Sequence, residues 1–327
     1  LLQSLIVDAH FMVEQFARWS TGYWFNFSGT AGVWRRAALE DAGGWTSDTL
    51  TEDLDLSYRA FLRGWDALYL REVVVPAELP VTLSAYRRQQ HRWARGSLEC
   101  ALKFIPAIWK TDLGLPQKLA ATMHLTGYGI HILMFLLALL FPALVVLPER
   151  FPAIHNLFLV ALIFNLTTFA PLLLTLVAQQ QLGRRWQSVL PAALLLTALG
   201  AGMILNTVRG ALQILLRRND IFERTPKFGI ADKRDVWTAR RYQLRPDSIV
   251  FFELAFALYN LVTAIFAASQ NNWGIAAYAL IFCAGLLFTF GLTMAQTLAV
   301  NVHQRGARSP SRPARRVDAP QPEFVRE

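Results

Sequence analysis

Apolar stretches at residues 123–147, 157–178, 188–216, 249–268 and 274–300 fill most of the chain beyond residue 115. A bilayer's hydrocarbon core takes about 20 helical residues to cross. Inside lipid every backbone polar group must be paired within the protein, which leaves helices or closed barrels. Runs of this length and evenness specify helices. Only 188–216 is ambiguous: Gly200 and Gly202 break it, and Asn206 and Arg209 lie in its second half. It allows two short crossings, or one crossing followed by an interfacial helix. The chain is 54% hydrophobic and 17% charged, against about 25% charged in soluble proteins. That shortfall lies after residue 115, which predicts a soluble unit over 1–115 and a transmembrane region over 116–300.

The net charge of +9 is concentrated beside the apolar runs. Arg184 and Arg185 lie between the second and third runs. The 217–245 loop holds Arg217, Arg218, Arg224, Lys227, Lys233, Arg234, Arg240, Arg241 and Arg245. The tail carries Arg305, Arg308, Arg312, Arg315 and Arg316. The loops 148–156 and 269–273 are poor in charge. Basic loops stay on the cytoplasmic side, which predicts a multi-pass inner- or plasma-membrane protein with its soluble unit and tail in the cytoplasm. An even number of crossings before residue 217 follows, and favours a hairpin for 188–216. Charge so placed fits anionic lipid and nucleotide phosphates better than nucleic acid. The Pro- and Arg-rich tail, 301–327, reads as disordered. Cys100 and Cys283 form no metal or redox motif and read as reduced, buried thiols.

Within 1–115, residues 2–19 read as a helix, Val33 to Ala42 as a short helix ended by Gly43-Gly44, and Thr51 as the cap of a helix reaching about Arg63. Leu54, Tyr58, Phe61 and Leu62 form its apolar stripe. Ala67–Leu70 and Val73–Val75 read as short strands, giving the texture of an α/β domain. A basic helix from about Thr82 to Phe104 suits a membrane surface as well as it suits solvent. His10 and Glu14, one turn apart, read as a satisfied polar pair rather than metal ligands.

Three segments carry chemistry. Thr51-Glu52-Asp53 puts carboxylates at the first turn of a helix, where one could take a proton from an attacking hydroxyl; acids also belong there because of the helix dipole. Gln89-Gln90-His91-Arg92-Trp93 fits Q-x-x-R-W. On a helix Gln89, Arg92 and Trp93 share a face, with a guanidinium fork for phosphate and a flat ring for a sugar. The same Arg and Trp would also anchor a helix at a membrane surface. Phe222-Glu223-Arg224-Thr225-Pro226-Lys227-Phe228-Gly229 lies in the most basic loop, where Lys227 could meet a phosphate or simply sit beside the membrane.

Together with "FNFSGTAGVWRRAALEDAGGW" over 25–45 and "ELPVTLSAYRRQQHRW" over 78–93, these segments resemble family 2 glycosyltransferases of the cellulose-synthase type, above all the mannan and glucomannan synthases of the cellulose-synthase-like group and their bacterial relatives. The likeness is dense over 20–105, and "FERTPKFG" is similar to the F-x-V-T-x-K gating loop of cellulose synthase, with Arg224 in place of Val. The resemblance implies a GT-A-type α/β domain, truncated at its N-terminus, followed by an all-α transmembrane bundle with a cytoplasmic gating-type loop at about 217–246. It implies Asp53 as general base, with Glu52 and Thr51 shaping its pocket. Gln89 and Arg92 would hold the donor diphosphate; Trp93, Gly29 and Thr30 would border the acceptor; Phe222, Thr225 and Lys227 would cover the nucleotide.

The implied reaction is polymerisation of a β-linked mannan, glucomannan or glucan from a nucleotide sugar of the GDP-mannose or UDP-glucose type, coupled to export of the growing glycan. Mg²⁺ or Mn²⁺ would serve it, on ligands outside this sequence. No Asp-x-Asp precedes Gly29, and Asp53-Leu54-Asp55 belongs to the base motif, so this chain alone is expected to be inactive. The alternatives are a non-processive transferase adding one sugar to a lipid or glycan and, from another class, a transporter or scaffold.

Overall fold

In this computed structural model the described residues are 1–151, 169–218, 224–230, 235, 237–239 and 247–308. The chain opens with α1 (Leu2–Ala9), which runs through a π-helical stretch (His10–Gln15) into α2 (Phe16–Ser20). Two short helices follow, α3 (Arg36–Asp41) and α4 (Glu52–Leu62). Then come α5 (Leu83–Ile108), α6 (Leu115–Thr126), α7 (Gly129–Arg150), α8 (Ala170–Gln181), α9 (Trp186–Gly202), α10 (Ile204–Leu215), α11 (Ile249–Ser269) and α12 (Trp273–Arg308).

α4 begins where three acids, Glu52, Asp53 and Asp55, fall in its first turn and meet the positive end of the helix dipole. Thr51 holds the N-cap position, but its side chain accepts no capping bond; its hydroxyl faces Cys100 Sγ at 3.7 Å. The expected apolar stripe is in place. Leu54 and Tyr58 pack with Cys100, Phe104 and Ile108 of α5 and Leu125 of α6, and Leu62 lies against that core. Burying a side chain such as Leu54 or Ile108 is worth about 1.5–3 kcal/mol. On the other side of α4, Leu56 and Ala60 close against Ala42, Trp34 and Trp65.

The strands expected at 67–70 and 73–75 are not formed, and no strand occurs among the described residues. A strand needs a neighbour to complete its hydrogen-bond ladder. Here Leu68, Leu70, Val73, Val74 and Val75 are exposed, Val74 by 83%. The α/β expectation therefore has no support within the described residues. The tail expected to be disordered from 301 continues α12 as helix to Arg308; residues 309–327 lie outside the described residues.

Among the described residues four helical stretches are long and apolar enough to cross a membrane: 129–147, 186–215, 249–269 and 273–304. They share a core of Phe141, Ile204, Phe256, Ala257, Phe282 and Leu286. Leu133, Phe252, Val262 and Ile265 point outward, as suits lipid rather than water. The 157–178 stretch is described only from residue 169. The hairpin favoured for 188–216 is replaced by an interruption at Met203: its backbone stays right-handed helical, and α10 packs on α5 and α7 instead of folding back along α9. Arg95 donates to the Arg218 carbonyl at 2.7 Å, and Arg209 pairs with Asp247. Both ends of the basic 217–246 loop are thereby tied to α5 and α10.

The basic helix α5 buries one face within the protein. Thr82 caps it, accepting from Ala85 N at 3.3 Å. Arg87, His91 and Arg95, at successive turns, are all buried. α5 thus forms a wall between α4 on one side and α10 on the other.

Candidate active site

The site is built where α5 crosses the start of α4. Gly96 faces Thr51 so closely that a Cβ there would lie 2.5 Å from Thr51 Oγ1 and 2.7 Å from its backbone nitrogen. One turn earlier on the same helix, Arg92 stands within electrostatic reach of Glu52 and Asp53. Burial pulls the Arg92 guanidinium down, and the two carboxylates pull it back up.

Asp53 is half-buried. Its Oδ1 accepts from Leu54 N at 2.8 Å, and its carbonyl accepts from Ser57 Oγ at 2.6 Å. Ser57 Oγ in turn accepts from Phe27 N at 2.9 Å, which fastens the 25–32 segment to α4. That segment turns at Gly29, whose φ is +60°, and a Cβ on Gly29 would sit 3.8 Å from Asp53 Oδ2. Glycine takes this left-handed conformation without strain, so the turn closes over the carboxylate. Burial raises the Asp53 pKa above the ordinary value, and Glu52 raises it further; the backbone N–H groups of Leu54, Asp53 and Gly29 act against them. The result is a carboxylate able to accept a proton, under an exposed Gly29–Thr30 turn and within electrostatic reach of a guanidinium.

Of the residues singled out from sequence, Thr51, Glu52, Asp53, Gly29, Thr30 and Arg92 are gathered at this crossing. Trp93 is half-buried beside Arg92. Gln89 is engaged elsewhere, accepting from Gln3 Nε2 of α1 at 2.6 Å. Lys227 donates to the Glu78 carbonyl at 2.6 Å, and Glu78 Oε1 accepts from Phe228 N at 2.6 Å and Gly229 N at 3.1 Å. Thr225 is half-buried in that segment. Phe222 lies outside the described residues.

Asp55 does not join Asp53. Its buried carboxylate pairs with Arg59 Nε at 2.6 Å and Lys103 Nζ at 2.5 Å. Among the described residues no three His, Cys, Asp or Glu side chains converge as a metal would need. His10 and Glu14 form their pair at 3.0 Å, with Arg18 beside them.

Gly96 and Glu78 were not foreseen as parts of this arrangement. A glycine inside a helical pattern is a usable signal, because it weakens the helix unless packing requires it. Glu78 carries no such signal, since its partners lie about 150 residues away.

The family described as glycosyl transferase family group 2 matches residues 4–196. Glucomannan 4-beta-mannosyltransferase 2 of Arabidopsis thaliana is 49% identical over 107 residues, 33% of this chain and 20% of that protein. Probable glucomannan 4-beta-mannosyltransferase 9 of Oryza sativa subsp. japonica is 40% identical over 157 residues, 45% of this chain and 29% of that protein. Glucomannan 4-beta-mannosyltransferase 1 of Cyamopsis tetragonoloba is 53% identical over 95 residues, 29% of this chain and 18% of that protein. The chain thus spans less than a third of the length of each of these relatives. No solved structure matches it.

Proposed function

Because the chain belongs to the glycosyl transferase family group 2, we propose that it is the acceptor-side and membrane part of an inverting hexosyltransferase that polymerises a β-linked mannan, glucomannan or glucan from a nucleotide sugar. The observation that carries this reading is the Asp53 carboxylate, beneath the Gly29 turn, its pKa raised by burial and within electrostatic reach of Arg92. The glucomannan mannosyltransferase names of its relatives favour a mannan or glucomannan product.

In this reading the acceptor hydroxyl enters beneath Gly29 and Thr30 and loses its proton to Asp53 as its oxygen attacks the anomeric carbon. The nucleoside diphosphate leaves from the opposite face, so the configuration inverts. Arg92 offsets the diphosphate charge, Glu52 and Thr51 hold the carboxylate end of α4, and Trp93 offers the acceptor sugar a flat surface. Gln89 reaches the donor only by exchanging its bond to Gln3. Phe222, Thr225 and Lys227 belong to a lid over the nucleotide. Mg²⁺ or Mn²⁺ would offset the diphosphate charge as the leaving group departs. The GT-A-type α/β domain, the cytoplasmic placement of the basic loops, a membrane-lipid surround and glycan export between the helices belong to the proposal as well.

The test is synthesis by the gene product carrying this sequence, in membranes, from GDP-mannose or UDP-glucose with Mg²⁺. A polymer made by the wild type and absent with Asp53→Asn supports the proposal, and the donor used names the product. Single-sugar addition instead would assign the non-processive transferase; an equally active Asp53→Asn would remove Asp53 as base.

A further inference from the structure

Glu253 is the only charged residue in the α11 stretch 249–269, and its side chain is completely buried. An ionisable group within an apolar span is costly and calls for a reason. Its partner comes from outside the span. Arg87 of α5, its side chain 3% exposed, donates through Nη2 to Glu253 Oε2 at 2.6 Å and through Nη1 to Thr293 Oγ1 of α12 at 2.7 Å. Asn206 of α10 donates to the Arg87 carbonyl at 3.0 Å, and Gln296 of α12 accepts from Leu83 N at 2.8 Å. The first turns of α5 are thus held by polar bonds to α10, α11 and α12.

A buried ion pair seldom adds net stability, because desolvation offsets the attraction. Arg87 Nε and Glu253 Oε1 have no partner among the described residues, which makes this pair a poor stabiliser. What it does set is position. Arg87 precedes Arg92 by five residues, about 7.5 Å along a rigid helix. Sliding α5 by one turn would break the Arg87 bonds and carry Arg92 away from Glu52 and Asp53.

We infer that Arg87 and Glu253, with Thr293, are a positioning cluster that sets the height of α5, and so of Arg92 and Trp93, against the membrane helices during glycosyl transfer. This rests on the transfer site proposed above. The pair touches no substrate and acts through the helix.

The test replaces the pair by apolar residues of similar size, Arg87→Met/Glu253→Leu, which keeps the helix contacts filled. The expected result is an unchanged thermal midpoint in detergent and an unchanged KM for the nucleotide sugar, with kcat reduced about tenfold or more, as misplacement on the ångström scale does, and shorter product. Wild-type rate and product length in this variant would overturn the inference and leave the pair a packing feature. If the double variant does not fold, Thr293→Val removes one arm without stranding a charge. A severalfold lower kcat with restoration by Thr293→Ser supports the cluster, and a wild-type profile overturns it.

A readout independent of turnover separates this inference from the proposed function. Cysteines at Leu83→Cys and Gln296→Cys, joined by a short bifunctional thiol reagent, report the height of α5 directly. Their yield should fall in the Arg87→Met/Glu253→Leu background. An unchanged yield overturns the inference even if the wild type proves to use another substrate.

Discussion

Gly96 of α5 and Thr51 at the start of α4 approach so closely that no side chain fits between them. This contact sets how near Arg92 comes to Glu52 and Asp53. Gly96→Ala should favour the isolated helix by about 1 kcal/mol, yet its methyl group meets Thr51 backbone as well as side chain, and overpacking of that kind costs about 1–3 kcal/mol. The expected outcome is a lower thermal midpoint and a kcat reduced by about a hundredfold, as a 1 Å displacement at a reacting centre does. Wild-type turnover by Gly96→Ala would show that the crossing tolerates separation and that Arg92 is not placed by it.

Asp53→Asn should separate activity from stability. An acid whose folded-state pKa is raised binds its proton more tightly when folded. It favours the fold at low pH, and that contribution is lost as pH rises through the folded pKa. At neutral pH the ionised Asp53 therefore opposes folding, and Asn should raise the thermal midpoint while abolishing transfer. The same shift places the acid limb of kcat/KM for the wild type above the ordinary carboxylate value of 3.8. Thermal melts of both proteins at neutral and acid pH, with a pH–rate profile, check both statements; a lower midpoint for Asp53→Asn at neutral pH would contradict the first.

How far the sequence carries the structure depends on whether a signal is local. The acids at 52–53, the Gly43-Gly44 stop and the Leu54–Tyr58 stripe are local patterns, and each lies where its pattern puts it. Val73–Val75 is a local pattern too, but strand formation is decided by a neighbour, and no described segment supplies one. The break within 188–216 was legible from its glycines, whereas the path after it was not, because α10 is directed by buried partners on α5. Arg87 and Glu253 are separated by 166 residues, and no periodicity links them. The lone acid in an apolar run was the one visible sign.

Asp55 tests whether the Asp-x-Asp spacing on α4 has a structural or a metal role. Its carboxylate is buried between Arg59 and Lys103, and Lys103 also holds Asp48 at 2.6 Å. Arg59 further donates to the carbonyls of Ala42 and Gly44, which ties the 42–44 turn to α4. Asp55→Ala would take the buried carboxylate from Arg59 and Lys103, which keep the Ala42 and Gly44 carbonyls and Asp48; breaking a buried pair costs about 3–5 kcal/mol, and these remaining partners with solvent at Lys103 move this case to or below the low end. The expected outcome is a lower thermal midpoint with an unchanged metal requirement for transfer. A shifted Mg²⁺ titration at unchanged stability would make Asp55 a ligand instead.

Glu78 should control the freedom of the 224–230 segment. Its carboxylate accepts from Phe228 N and Gly229 N while its carbonyl accepts from Lys227, so one acid fastens the 224–230 segment beside the entry to α5. Hydrogen bonds to a charged acceptor are worth about 1.5–3 kcal/mol each. Glu78→Ala should release the segment, and a loss of about 1.4 kcal/mol already raises its open population tenfold. Trypsin cutting after Arg224 or Lys227 should then be about tenfold faster where cleavage follows that open population. If the segment covers the nucleotide, the KM for the nucleotide sugar should rise with kcat changed less, and Lys227→Ala should raise KM by itself while leaving the Glu78 carboxylate bonds in place. Faster cleavage with an unchanged KM would keep Glu78 as the anchor but remove the segment from donor binding; unchanged cleavage would show that the contact does not hold the segment at all.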